Sequence, residues 1–306
     1  MYDPSDPRST LSSASPSVAS PLPDVFAAAD FGLFYEEAPQ ERGPTGPTWY
    51  IRGQSILVAY TEASAGSVLS RDDQIDEYAV LLPNRETLAT ITAKAGTRDV
   101  EGNSLAFVPP GDSRIEILTG GTVVRIFTTR SADLVEKCPN QEAYEEPRAN
   151  IPALEPWPPP DDGFKLRVYS LDVPPEPGRF GRIWRCTTLM INVLDPQIGP
   201  RDITKLSPHH HDDFEQCSLA LEGSFIHHLR WPWTPDMNAW RDDEHVHVQS
   251  PSVTIIPPPA VHTTRGMDPG VNQLVDIFAP PRRDFSEKSG WVLNAGEYPI
   301  PVGVRD

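Results

Sequence analysis

The 306-residue chain has only three cysteines, Cys138, Cys186 and Cys217, and no CxxC pair. That is too few for a disulfide framework and offers no thiolate clamp for zinc, so all three read as reduced thiols. No stretch approaches 18 uninterrupted apolar residues, and the start, Met1-Tyr2-Asp3-Pro4-Ser5-Asp6, lacks the basic and apolar regions of a secretory signal. A cytoplasmic protein without a membrane partner is expected. Basic residues are scarce as well: 26 Lys+Arg stand against 43 Asp+Glu, a formal charge of −17. Such a surface repels a phosphate backbone and has no surplus base for counterion release, which excludes nucleic acid. Histidine is missing altogether from the first 208 positions.

Proline is abundant, with 35 residues, about double the usual share, and long helices are therefore not expected. Residues 1–24 are rich in Ser, Pro and Asp and cannot bury enough surface to offset ordering, so they read as a flexible N-terminal arm. Short β-branched and apolar runs follow at about ten-residue spacing: Ser55–Tyr60, Glu77–Leu82, Leu88–Ala93, Ser104–Val108 and Thr122–Thr128. A second series, Phe164–Ser170, Arg182–Leu194, Gln216–Leu221, Phe225–Leu229, Val246–Val248, Ser252–Ile256 and Gln273–Phe278, begins after the stiff stretch PALEPWPPP. The fold class is all-β, with one unit over residues 25–150, a Pro-rich linker over 151–163, and a second unit over 164–306 ending in a C-terminal arm.

The two units read as copies of one another. Val108-Pro109-Pro110-Gly111 followed by Arg114 matches Ile256-Pro257-Pro258-Pro259 followed by His262, and Val124-Arg125-Ile126-Phe127 matches Val275-Asp276-Ile277-Phe278. Upstream, the run from Glu77 lies over the run from Gln216.

All eight histidines fall between His209 and His262. Residues i and i+2 of a strand share a face, so His209 and His211 can grip one ion together while His210 points away. Gly223 marks a hairpin after the run from Gln216, and the proline triplet before His262 forces an extended approach that can deliver a third imidazole.

These residues resemble the cupin superfamily, whose first motif has the form G-x5-H-x-H-x3,4-E-x6-G and whose second has the form G-x5-P-x-G-x2-H-x3-N. His209-His210-His211, then Gln216, then Gly223 follow the first; Pro257 to His262 follows the core of the second. The resemblance implies two tandem cupin-type double-stranded β-helix (jelly-roll) barrels. The first is degenerate and without metal, its corresponding positions being Ser70, Asp72, Glu77 and Arg114, with Arg114 facing Glu77. The second holds one divalent ion on His209, His211, His262 and a fourth ligand. Counting back from Gly223 gives Gln216 for that ligand, and the motif's acidic residue gives Glu215 as the alternative.

The resemblance further implies a mononuclear enzyme. An Fe(II) dioxygenase acting on a small oxygen-rich substrate is the first reading; Mn, Ni or Zn in a redox-neutral isomerase or lyase is the second, and a non-turnover binding protein the third. Glu215, if not a ligand, and His228 are the candidates for moving a proton. Trp231 and Trp233, in the inserted loop WPWTPDMNAW, and Arg265, beyond His262, are candidates for binding substrate. Tandem barrels expose sheet edges, so a homodimer is expected, with residues 25–50 or Trp291–Val304 draped over the partner.

Overall fold

The computed structural model describes residues 6–11, 25–148 and 150–302. Antiparallel strands dominate it, as the composition requires: the longest helix among the described residues, Arg283–Glu287, has five residues. No helix among them is long and apolar enough to cross a membrane.

In the first barrel a seven-stranded sheet has the order Arg167–Ser170, Ser104–Val108, Tyr78–Leu82, Gly121–Thr128, Ile56–Ala63, Gly46–Arg52 and Glu41–Gly43. Opposite lies a four-stranded sheet of Val68–Gln74, Gly111–Thr119, Leu88–Ala93 and Gly96–Glu101. In the second barrel the large sheet runs Asp30–Gly32, Ser252–Ile256, Gln216–Glu222, Val271–Phe278, Met190–Val193 and Arg182–Arg185, with Gln197–Ile198 beside Val271–Phe278. Its smaller sheet holds Glu244–Gln249, Ser224–Arg230 and Val261–Gly266.

Alternation divides each strand of the large sheets between two cores. Tyr78, Val80 and Leu82 fill the first barrel with Ile91 and Ile115. Ala79 and Leu81 point the other way and meet Leu219, Val253 and Ile277 of the second barrel, so the two large sheets pack face to face. Gly223, at φ 90°, makes the expected hairpin, and a Cβ there would meet the Val271 carbonyl oxygen at 2.5 Å.

Each large sheet ends in a strand from the other half of the chain. Asp30–Gly32 pairs with Ser252–Ile256, and Arg167–Ser170 pairs with Ser104–Val108. Boundaries at 25 and 164 therefore do not separate the hydrogen-bonded sheets. The segments expected to drape over a partner subunit are used within the chain: Trp291 is buried and donates to the Gly178 carbonyl, and Tyr298 is buried between the barrels. Residues 6–11, expected in a loose arm, form a short 3₁₀ turn, Pro7–Thr10, seated on the second barrel. The rest of that arm lies outside the described residues.

The duplication is visible in the pairing. Tyr78 pairs with Val108 as Gln216 pairs with Ile256, and Leu81 pairs with Val124 as Leu219 pairs with Val275. These pairs carry offsets of 138, 148 and 151 residues, so Glu77 corresponds to Glu215 rather than to Gln216. A one-residue slip turns every side chain to the other face. Ser70, Asp72 and Arg114 are accordingly exposed, and no Arg114–Glu77 pair exists inside the barrel. Glu77 sits at the seam instead, accepting from the Thr187 amide (3.1 Å), the Thr187 hydroxyl (2.9 Å) and the Tyr298 hydroxyl (2.8 Å). Glu215 mirrors it, accepting from the Gln54 amide at 2.5 Å and from the Arg148 guanidinium.

Candidate metal centre

The chain before the strand Gln216–Glu222 approaches Val261–Gly266 through one bridge, in which His209 and His262 exchange backbone hydrogen bonds of 3.0 and 2.7 Å. Residues directly opposite in such a pair carry their side chains on one face, and the two rings lie 4.4 Å apart. His211, two residues on, joins them at 5.1 Å from His209 and 5.3 Å from His262. One ligand atom from each of the three lies within 4.8 Å of the others, and all three side chains are buried. His210 is exposed, near Asp212.

The hydrogen bonds around the triad set which nitrogen faces inward. His209 donates from Nδ1 to the Ser207 carbonyl and His262 donates from Nδ1 to the Ala260 carbonyl, each at 2.9 Å. Burial holds all three imidazoles neutral, pushing His262 down to about 4 and the other two well below their ordinary value. A neutral ring whose Nδ1 carries the proton presents a bare lone pair at Nε2. Gln216 Oε1 stands 3.2 Å from His262 Nε2 and 3.2 Å from His211 Nε2. Its amide nitrogen is tied back to Ser218 Oγ (3.1 Å) and Asp276 Oδ1 (3.2 Å), which turns the oxygen inward. At His262, then, one lone pair faces another with no proton between them, an arrangement that a cation resolves.

Glu215, the alternative ligand and candidate proton carrier, is on the opposite face of the strand, clamped at the seam. Strand parity puts it there. His228 also faces outward, its Nδ1 2.9 Å from that of His245; the inward residue is His227, buried beside the Thr264 hydroxyl at 3.0 Å. Trp231 is packed in a small apolar cluster and donates to the Ala27 carbonyl, so it supports the loop rather than facing a ligand. Trp233 is exposed and stacked on Trp240 at 4.8 Å, and Arg265 lies on the outer face of the small sheet, opposite Ile226.

Three residues of the site escape motif reading. Asp276 is buried behind Gln216 and bonded to Ser218 at 2.8 Å; a lone charge inside the apolar run Val275–Phe278 was its signal. Arg8 arrives on the N-terminal turn, its guanidinium held by Asp6 and its Nη1 3.3 Å from His209 Nε2. Arg282, packed on Phe285 at 3.7 Å and paired with Asp284, stands on the wall of the adjoining cleft. Neither arginine has a local sequence signal. The cleft, about 1900 Å³, runs from His211 and Phe214 past Arg8 and Arg282 to Trp157 and Thr187.

No protein-family model matches the chain, and no curated protein matches it. Solved structures do. An oxalate decarboxylase studied for its substrate binding mode and a reaction specificity switch shares 12% identity over 84% of this chain and 78% of that one, with a TM-score of 0.56. The Lactobacillus farciminis oxalate decarboxylase formate complex shares 12% over 82% and 86%, at 0.55. A mutant of the Bacillus subtilis oxalate decarboxylase shares 10% over 84% and 78%, at 0.52. The likeness is one of fold: the chain has the two-barrel cupin architecture.

Proposed function

We propose that the second barrel is a mononuclear metal enzyme acting on a small, oxygen-rich anion. The observation that carries this is the lone-pair contact between Gln216 Oε1 and His262 Nε2, beside two further imidazoles. Three imidazoles and one amide oxygen are neutral ligands, so a divalent ion held by them keeps its full charge and acts as a Lewis acid on a carbonyl or carboxylate. Ser207 and Ala260 orient His209 and His262, and Asp276 with Ser218 orients Gln216. Arg8 and Arg282, each paired with a neighbouring carboxylate, Asp6 and Asp284, stand on the same side as hydrogen-bond donors for the oxygens of a substrate in the cleft. His211 is stacked on Phe214 at 4.2 Å, which keeps one wall of the site dry.

The neutral ligand set favours redox-neutral chemistry, a lyase or isomerase with Mn, Ni or Zn, and the similarity to oxalate decarboxylases supports the lyase. An Fe(II) dioxygenase is the second reading. Neither Glu215 nor His228 is placed to move a proton for either. We expect a homodimer and a cytoplasmic location.

Metal analysis of untagged protein tests the centre, with a His209→Ala/His262→Ala variant alongside. About one ion per chain, lost in the variant, is expected, and absence from both after reconstitution would overturn the reading. Oxygen uptake by Fe(II)-loaded protein with small carboxylates separates the chemistries: uptake coupled to turnover selects the dioxygenase, turnover without uptake the lyase or isomerase.

A further inference from the structure

The N-terminal turn, residues 6–11, lies on the second barrel beside the histidines. Asp6 caps it, accepting from the Arg8 amide at 2.9 Å, and Pro7 takes the first position, where a missing N–H costs nothing. Its anchors are remote in sequence. Asp6 Oδ2 accepts from the Ser207 hydroxyl (2.7 Å), the Arg8 guanidinium lies 4.3 Å over Phe180, and the Thr10 carbonyl accepts from Lys288 Nζ (3.4 Å). Leu11 packs against the apolar cluster that holds Phe285 and Trp291. Ser207 serves twice, since its carbonyl also takes the Nδ1 proton of His209. The turn is therefore tied to the same residue that orients this imidazole in the metal centre.

Arg8 reaches from this turn to the centre. Its side chain is buried, and Asp6 accepts from Nε at 3.1 Å and from Nη2 at 2.8 Å, a fork that turns Nη1 toward His209 Nε2, 3.3 Å away. A guanidinium can only donate, so Nε2 is the acceptor, in agreement with an Nδ1 proton held by the Ser207 carbonyl. Nε2 has one lone pair, in the plane of the ring. An N–H and a metal ion compete for it, and His209 can ligate through this atom only when Arg8 lets go.

We propose that residues 6–11 form a strap that gates ion loading, with Arg8 holding the lone pair of His209 until an ion displaces it. The inference rests on the histidine triad being the metal centre. Because Asp6 compensates the guanidinium charge, the strap opposes the ion by occupying a ligand atom more than by repulsion. Displacement lifts Arg8 from its buried position and also fixes an order of events. Arg8 and Leu11 line the cleft, so the N–H released from His209 is returned to the space that takes the substrate. This donor becomes available only after the ion has bound, which couples ion and substrate binding through one side chain.

Stopped-flow uptake of Co(II) by the full chain, freed of metal with EDTA and followed by the ion's visible absorption, tests the strap, with affinity taken from chelator competition. Arg8→Met keeps the apolar length and loses the donors; it is expected to take up the ion about fivefold faster or more and to bind it about fivefold tighter or more, the weight of one hydrogen bond. Arg283→Met removes a charge from the same cleft, one paired with Glu287, and is expected to change neither. Equal uptake and affinity in wild type and Arg8→Met, or the same gain in Arg283→Met, would overturn the gate while leaving the metal centre standing; no Co(II) bound by any of the three proteins would overturn both. Should Arg8→Met fail to fold, the wild type decides, because the next basic residue after Arg8 is Arg42 and tryptic cleavage at Arg8 is read directly by mass. Saturating Co(II) is expected to speed that cleavage about fivefold or more, and unchanged or slower cleavage overturns the proposal.

Discussion

His227 shows what a single buried ring costs. It lies inside the second barrel against Thr264, and burial holds it neutral, pushing it down to about 3. In the unfolded chain the same ring protonates near its ordinary value of about 6.5. The unfolded state therefore binds more protons below pH 6.5, so the stability His227 contributes is complete above that pH and drains away as pH falls toward 3. Replacing it by glutamine removes this dependence: relative to wild type, His227→Gln should gain about 1.4 kcal/mol per pH unit below 6.5. Urea denaturation at pH 7, 5.5 and 4.5 measures the difference, and parallel pH profiles would refute it. The sequence shows that one of the adjacent pair His227 and His228 turns inward, but which one depends on a register that no single residue declares.

Among the elements, the strand Gln216–Glu222 carries two functions on its two faces. Gln216 points to the histidines and Glu215, just before it, to the seam, so neighbouring substitutions should part cleanly. Gln216→Ala is expected to weaken ion binding roughly tenfold or more with a modest change in stability. Glu215→Ala should leave ion affinity nearly unchanged while costing about 1–3 kcal/mol, because the Gln54 amide loses its acceptor and the partly buried Arg148 keeps only Asp30, at 3.6 Å, as a counter-charge. Chelator competition and chemical denaturation on both variants check the separation.

Strands rich in apolar runs were legible, among them Leu88–Ala93, Ser104–Val108 and Ser252–Ile256, whose limits the sequence reading matches. Val68–Gln74 and Gly111–Thr119 were not, since their outer faces are charged and their inner faces short. Arg182–Leu194 reads as one run yet is a hairpin, because its turn at Cys186-Thr187-Thr188 has neither glycine nor proline. Spacing revealed the three histidines, whereas Arg8 and Arg282 come from opposite ends of the chain and are joined to the site only by the fold.

For the whole molecule, the apolar layer between the large sheets and the exchanged strands make the barrels interdependent. Separately produced halves, cut at the proline-rich stretch, would each expose that layer and lack an edge strand. Each alone is expected to aggregate, and the two produced together to assemble into a soluble complex on gel filtration. Soluble, folded single halves would contradict this.

The exchange also sets a timetable for synthesis. Asp30 leaves the ribosome 225 residues before Ile255, the residue it pairs with. The first barrel closes its large sheet once Arg167–Ser170 has emerged, but Asp30–Gly32 must wait, unpaired, for nearly the whole second barrel. The earliest of the described strands is thus among the last to find its place, and its docking reports that translation has passed Ile255.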